Sequence, residues 1–190
     1  MAEPILETGR LILHEWSESD WATFRETTNT PGVMRWLGGV ADDAGWAAFR
    51  ARVEDYSRAY GHTFWAATRK PDGGHLSGEL VGMVGFKRSR AEGTPVEGML
   101  EIGWRLREDA WGQGYAKEAA STCLDYAYEN MEADEIVAVT VIENLPSWRL
   151  MEKLGMQRRT DLDYTELLFG PEPLDTIVYA IDRVQWEAQR

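Results

Sequence analysis

The feature that most constrains the fold is a change of rhythm between Met99 and Ile142. "MLEIGWRLR" (Met99–Arg107) reads as a strand and runs into the glycine-broken "EDAWGQG" (Glu108–Gly114). Ala116, Ala119, Ala120, Cys123, Leu124 and Ala127 then recur at steps of three and four, one face of a helix. "EIVAVTVI" (Glu135–Ile142) is an almost continuous apolar run, as expected of a strand covered on both sides. Strand, helix and strand at this spacing predict a parallel crossover, with a helix laid on a sheet.

The rest of the chain reads around that unit. "RLILHEW" (Arg10–Trp16) alternates as a strand, and Ser17 with Asp20 three residues later opens a helix through about Thr28. "TPG" (Thr30–Gly32) breaks it. From Asp42 to Tyr60, Trp46, Phe49, Val53 and Tyr56 stand at helical spacing before "YG" ends the segment. "TFWAATR" (Thr63–Arg69), "ELVGMVGFK" (Glu79–Lys87, loosened by Gly82 and Gly85) and Met99–Arg107 predict an antiparallel meander. "SWRLMEKLG" predicts a short helix stopped at Gly155, and "DTIVYAI" (Asp175–Ile181) a last strand. Without repeat, linker or low-complexity segment, residues 1–190 read as one α+β domain with a mostly antiparallel sheet.

Charge narrows the function. A formal net charge of -12 disfavours nucleic acid, whose affinity rests on Lys and Arg neutralising phosphates, and "FKRSR" (Phe86–Arg90) does not reverse that. An acidic surface mildly favours cationic partners such as amines. The single cysteine, Cys123, rules out an intramolecular disulfide and lies on the apolar helix stripe, so it reads as a small buried hydrophobe. His14, His62 and His75 lack ligand spacing, so no metal is expected. With no run of about 18 apolar residues, and with "MAEPILETGR" unlike a signal peptide, the expectation is a cytoplasmic protein without a membrane role.

Gly112 and Gly114 sit at the mouth of the alanine-rich helix, where the first N–H groups lack partners and the dipole favours anions. Such an end suits a phosphate. A Walker loop needs a Gly-Lys pair, and the chain has none. A Rossmann fingerprint needs a third glycine where Lys117 stands, after the first strand of a βαβ unit rather than the last of a meander.

Three segments carry a resemblance that runs from Arg10 to Ile181: "TGRLILHEWSESD", "EIGWRL…AWGQGYAKEA" and "VIENLPSWRLMEKLGM". On them the chain resembles the GNAT superfamily of N-acetyltransferases, and within it the RimJ/RimL branch that acetylates ribosomal-protein N-termini. The resemblance implies the GNAT fold, a mixed and mostly antiparallel twisted sheet with helices on both faces around a central parallel β-α-β acyl-CoA site. It implies acetyl-CoA as co-substrate and a primary amine as acceptor, either a protein α-amino group or a small molecule, in a monomer or homodimer. The family loop is usually Q/R-x-x-G-x-G/A, so Asp109 departs from it and places coenzyme affinity in question.

Residue by residue, the resemblance implies that Trp111, Gly112, Gln113, Gly114, Tyr115 and Ala116 present amides to the pyrophosphate. Trp104 and Leu106 would pair with the pantetheine arm in a gap where their strand splays from "EIVAVTV". Asn144 would contact that arm, or simply cap the helix ahead of Pro146. Acetyl transfer needs a proton acceptor for the amine and a donor for the leaving thiolate. Ser147 is the candidate donor and Glu101 the candidate base, with Glu143 second; an edge carboxylate merely paired with a nearby Arg is the plain alternative for Glu101. Trp36, Trp46 and Trp65 read either as core or as walls of an acceptor pocket. The loop "KRSRAEGTPVEG" (Lys87–Gly98) could cover the site or meet another subunit. A non-catalytic acyl-CoA sensor and transfer of a longer acyl group are the rival readings.

Overall fold

The computed structural model describes residues 3–166 and 173–189. In chain order come strands β1 (Pro4–Glu7) and β2 (Leu11–His14), then helices α1 (Glu18–Thr28), α2 (Pro31–Met34) and α3 (Asp43–Tyr60). Strands β3 (Phe64–Arg69), β4 (Leu80–Arg88) and β5 (Leu100–Leu106) follow, then helix α4 (Tyr115–Asn130), strand β6 (Glu135–Val141) and helix α5 (Leu145–Lys153). Strands β7 (Gln157–Arg158), β8 (Tyr164–Glu166) and β9 (Leu174–Asp182) and helix α6 (Arg183–Glu187) complete the order. The fold is α+β, with one mixed sheet ordered β1-β2-β3-β4-β5-β6-β9-β7 and with β8 on β9. Two compact units divide the chain, Met1–Gly85 with Trp104–Cys123 and Phe86–Gly103 with Leu124–Arg190.

In the first unit, α1 starts where the sequence predicts. Ser17 accepts from the Asp20 amide while the Asp20 carboxylate accepts from Ser17, a complete capping box. Helix α3 begins on Asp42 and ends on Gly61, whose φ of 70° is the left-handed conformation glycine adopts freely. Trp21 and Phe24 of α1 and Trp46 and Val53 of α3 pack with Ala66, Leu80 and Met83 of the sheet, and Trp16, Phe49 and Phe64 close around them. Trp46 and Trp65 are therefore core residues rather than pocket walls. Trp36 is half-buried under the Arg35 guanidinium, 4.5 Å from its ring centre.

Gly82 and Gly85 do the opposite of loosening β4. A Cβ on Gly82 would stand 2.2 Å from the Arg105 carbonyl oxygen, and one on Gly85 2.1 Å from that of Thr63. Both glycines let strand backbones approach more closely than any other residue allows. Strands β3 and β4 pair antiparallel, with a register shift between Ala67 and Thr68.

In the second unit, β6 runs antiparallel to β9 over its whole length, from Glu135↔Asp182 to Val141↔Thr176. The parallel pairing of β5 with β6 spans Leu100↔Ile136 and Glu101↔Val137, which is the crossover read from the sequence. Ala91 and Val96 of the long loop are buried against Val137, Val178 and Ala180. The loop thus contributes core instead of standing off as a cover. Tyr128 of α4 donates to the Ile181 carbonyl at 2.6 Å and Trp186 of α6 to Asp125 at 2.9 Å. Cys123, on the part of α4 that belongs to the first unit, is fully buried, and burial pushes its thiol well above the ordinary range, as suits a packing residue.

Candidate functional site

The glycine loop is built from its ends inward. The Arg107 amide donates to the Val81 carbonyl at 3.0 Å, which fixes the exit of β5. A 3-10 turn over Glu108–Ala110 follows, closed by the Trp111 amide on the Glu108 carbonyl at 3.1 Å. The Trp111 indole folds back onto the Leu106 carbonyl at 3.0 Å. Trp111 therefore does not offer its amide to a ligand, a correction to the expectation that the donor row starts there. On the other side of the turn, Thr30 at the start of α2 donates to Glu108 at 2.6 Å.

Beyond the turn the backbone opens. Gly112 and Gly114 lie at φ of 73° and 79°, so both are needed for conformation alone, whatever binds above them. A Cβ on Gly112 would meet no protein atom within 4 Å, and one on Gly114 only Arg10 Nη2 at 3.5 Å. The Glu118 amide reaches back to the Gly114 carbonyl at 3.1 Å, which makes Gly114 the residue on which α4 starts. The amides from Gly112 to Lys117 donate to no acceptor among the described residues. Gly112, Gln113 and Gly114 are also solvent-exposed. A row of N–H groups without partners among the described residues, at the positive end of a 16-residue helix, has the chemistry that suits an anion.

Tyr115 contributes through its backbone alone, because its side chain is buried in the frame. Its hydroxyl donates to the His75 carbonyl at 3.0 Å and accepts from Arg69 Nε at 3.1 Å, while Arg10 lies 4.6 Å above the ring. Arg10 also donates to the Gln113 carbonyl at 3.0 Å and to Glu118 at 2.7 Å. Burial would raise the Glu118 carboxyl, but hydrogen bonds from Thr8 and from the Arg10 side chain and amide outweigh it and hold the group below its usual range. Thr8, Arg10, Arg107 and Glu118 are thus the residues that hold the loop. Side-chain type did not mark them, although "TGR" stands inside a segment that carries the resemblance.

Asp109 carries its charge in an ion pair. Arg107 grips it with two parallel bonds, Nε to Oδ1 at 2.6 Å and Nη2 to Oδ2 at 2.7 Å, and reaches Glu79 at 2.8 Å with Nη1. Those Arg107 bonds hold the Asp109 carboxyl below the ordinary aspartate range. The charge is paired, although the Asp109 side chain is still half open to solvent.

The remaining candidates lie in the second unit, apart from Trp104 and Leu106 at the end of strand β5 in the first. Asn144 precedes α5, yet its side chain makes no cap bond; Nδ2 donates to Thr140 on β6 at 2.9 Å. Its carbonyl takes the Ser147 amide at 3.0 Å. Ser147 is half-buried in the first turn of α5, and its hydroxyl makes no hydrogen bond among the described residues. Glu101 is buried, with Oε2 3.2 Å from Lys87 Nζ, so it is paired with a lysine and not with the arginine that the plain alternative named. Glu143 is exposed. Among the described residues no three His, Cys, Asp or Glu side chains gather as a metal site would need, and no helix is long and apolar enough to cross a membrane.

Comparisons with known proteins agree with this frame. A family model described as "Acetyltransferase (GNAT) domain" matches residues 10–157. The chain is similar to the Bacillus subtilis protein named "Uncharacterized N-acetyltransferase YnaD", 31% identical over 95% of this chain and 98% of that one. A crystal structure of a GNAT-family acetyltransferase from Bacillus anthracis superposes with a TM-score of 0.72 at 28% identity, covering 93% of this chain and 97% of the other. A spermidine N-acetyltransferase from Vibrio cholerae, solved with CoA and spermine, shares the fold at a TM-score of 0.70 and 13% identity over 93% of this chain and 98% of its own. With the motif-bearing loop and crossover in place and the family model spanning most of its length, the chain belongs to the GNAT acetyltransferase family.

Proposed function

We propose that the protein transfers the acetyl group of acetyl-CoA to a primary amine by direct attack in a ternary complex. The observation that carries this reading is the row of open amides from Gly112 to Lys117 behind two left-handed glycines. The GNAT family uses acetyl-CoA, and the residues fit it: the amides are donors without partners among the described residues, and the acid in the loop is paired with Arg107. Bound there, the coenzyme would supply an acetyl thioester, which an amine attacks without help from a metal.

The chain's own groups take the other roles. Gly112, Gln113, Gly114, Tyr115 and Ala116 donate backbone N–H to the diphosphate, and Lys117 extends the row. Trp104 and Leu106 offer backbone to the pantetheine arm, and the Leu106 carbonyl already holds the Trp111 indole. The Asn144 side chain, turned away from capping, is assigned to the same arm. Ser147, whose hydroxyl is uncommitted, donates the proton to the departing thiolate. Glu101 takes the amine's proton, directly or through water, on the oxygen that Lys87 leaves open. The acceptor is a small amine or a protein α-amino group, as in the RimJ/RimL branch, and the reaction takes place in the cytoplasm.

Calorimetric titration with acetyl-CoA, followed by thiol release over a panel of primary amines, tests this. Micromolar coenzyme binding with acceptor-dependent thiol release is expected. Tight binding without thiol release over any acceptor would favour a sensor, and turnover of longer acyl-CoA thioesters in preference to acetyl-CoA would correct the acyl group.

A further inference from the structure

Arg105 has no counter-ion among the described residues. Arg25, Arg50, Arg58 and Arg107 in the same unit each hold a carboxylate. In a chain with 32 acidic and 20 basic residues, a half-buried arginine without an acid is the exception. Its guanidinium lies over aromatic faces, 4.6 Å from the Phe49 ring centre and 5.8 Å from that of Phe24. Its Nε is shut off from solvent with no hydrogen-bond partner among the described residues. The other charge felt there is also positive: burial first, and then Arg52, lower the Arg105 pKa to about 10. Arg52 itself is exposed on α3.

A buried guanidinium that lacks an acceptor has lost hydration that ring faces repay only in part. A guanidinium on an aromatic floor, with no acid paired to it among the described residues and Arg52 adding positive charge, makes a place for an anion. The planar fork of an arginine selects a carboxylate, which it binds with two parallel bonds. Arg105 also stands between Trp104 and Leu106 on β5, the two residues assigned to the coenzyme arm, and strand alternation sends its side chain to the opposite face from theirs.

We propose that Arg105, supported by Arg52, receives a carboxylate of the acceptor, so that the amine acetylated is one that carries a carboxylate, as an amino acid does. This rests on the acetyl-transfer reading above and names its substrate class. The carboxylate anchors the acceptor beside the strand along which the thioester would lie.

The test compares initial rates with acetyl-CoA for the protein L-amino acids and, matched one for one, their carboxamides. A third set, dipeptides amidated at the C-terminus with Asp or Glu second, separates a main-chain from a side-chain carboxylate. The wild type is expected to prefer one carboxylate set over its neutral match by about ten- to a hundredfold in kcat/KM. Arg105→Met should bring that ratio towards one, chiefly through KM of the acceptor, and Arg105→Lys should restore part of it. Because Arg105→Met removes a charge without a counter-ion, its Tm should not fall; if it does, Arg105→Lys and Arg52→Gln carry the comparison. In parallel, calorimetry with N-acetyl-L-amino acids on wild type and Arg105→Met reads carboxylate binding without any turnover. Equal use of carboxylates and carboxamides by the wild type, or an unchanged ratio and unchanged carboxylate affinity in the variants, would overturn the proposal. Failure of acetyl-CoA to bind would instead sink the acetyl-transfer reading and leave Arg105 to be judged by the carboxylate titration.

Discussion

Replacing Gly112 with alanine and with asparagine separates two reasons for a glycine there. The residue sits at φ of 73°, where a Cβ costs about 1–2 kcal/mol for alanine and less for asparagine, which tolerates the left-handed region. No other penalty is expected inside the protein, because the added Cβ meets no atom within 4 Å. At about 2–4 °C per kcal/mol in a chain this size, alanine should lower Tm by roughly 2–8 °C and asparagine by less. If the open amides hold a diphosphate, the same Cβ and its side chain enter the ligand's space in both variants. Coenzyme affinity should then fall at least tenfold, about 1.4 kcal/mol, in both, while the stability losses differ. Differential scanning calorimetry and titration with CoA read the two effects on the same samples. An asparagine variant that is nearly as stable as wild type and binds CoA equally well would refute the loop assignment, since backbone conformation would then explain the glycine completely.

Four further outcomes follow from the geometry. Arg107→Met should weaken CoA binding by about three- to tenfold by exposing the Asp109 charge, and Asp109→Asn in the same chain should recover most of it, measured as a double-mutant cycle by calorimetry. Ser147→Ala should lower kcat by about tenfold or more with little change in CoA affinity; equal rates would remove the donor role. Gly82→Ala should cost about 3 kcal/mol or more in chemical denaturation, because its Cβ would meet a carbonyl oxygen at 2.2 Å. Glu118 has a folded pKa below its unfolded one, so the unfolded chain binds more protons between the two values and stability falls as pH drops through that window, below about 4.5. Glu118→Gln should flatten that acid limb in Tm-against-pH scans, and an unchanged limb would mean the hydrogen bonds from Thr8 and Arg10 are not held in solution.

What could be read from residues alone was whatever depends on local chemistry or on period. Ser17 with Asp20, Asp42 with Gly61, and the apolar run of β6 each announce a structure that forms over a few residues, and each formed. Short elements escaped for the matching reason: β1, β7 and β8 have two to four residues and too little alternation to see, and they exist only because a neighbour pairs with them. Gly82 and Gly85 were misread because spacing says that a side chain is missing, not what occupies its place; here it is the adjoining backbone. Asp109 looked hostile to phosphate for a similar reason. Its partner stands two residues away, but only the 3-10 turn brings the two side chains into a fork.

The same distinction separates the two halves of the proposed reaction. Coenzyme recognition falls on main-chain amides, and the sequence marks those indirectly, through the glycines and the small residues that let a helix start there. Acceptor recognition falls on side chains whose role depends on what they lack. Arg105 has the same identity as Arg107, two residues on, yet Arg107 is satisfied by Glu79 and Asp109 while Arg105 lies on aromatic rings with no acid paired to it among the described residues. No spacing rule distinguishes them. A three-dimensional inventory of partners does, and the cation left without one is where the chemistry of the acceptor should be sought.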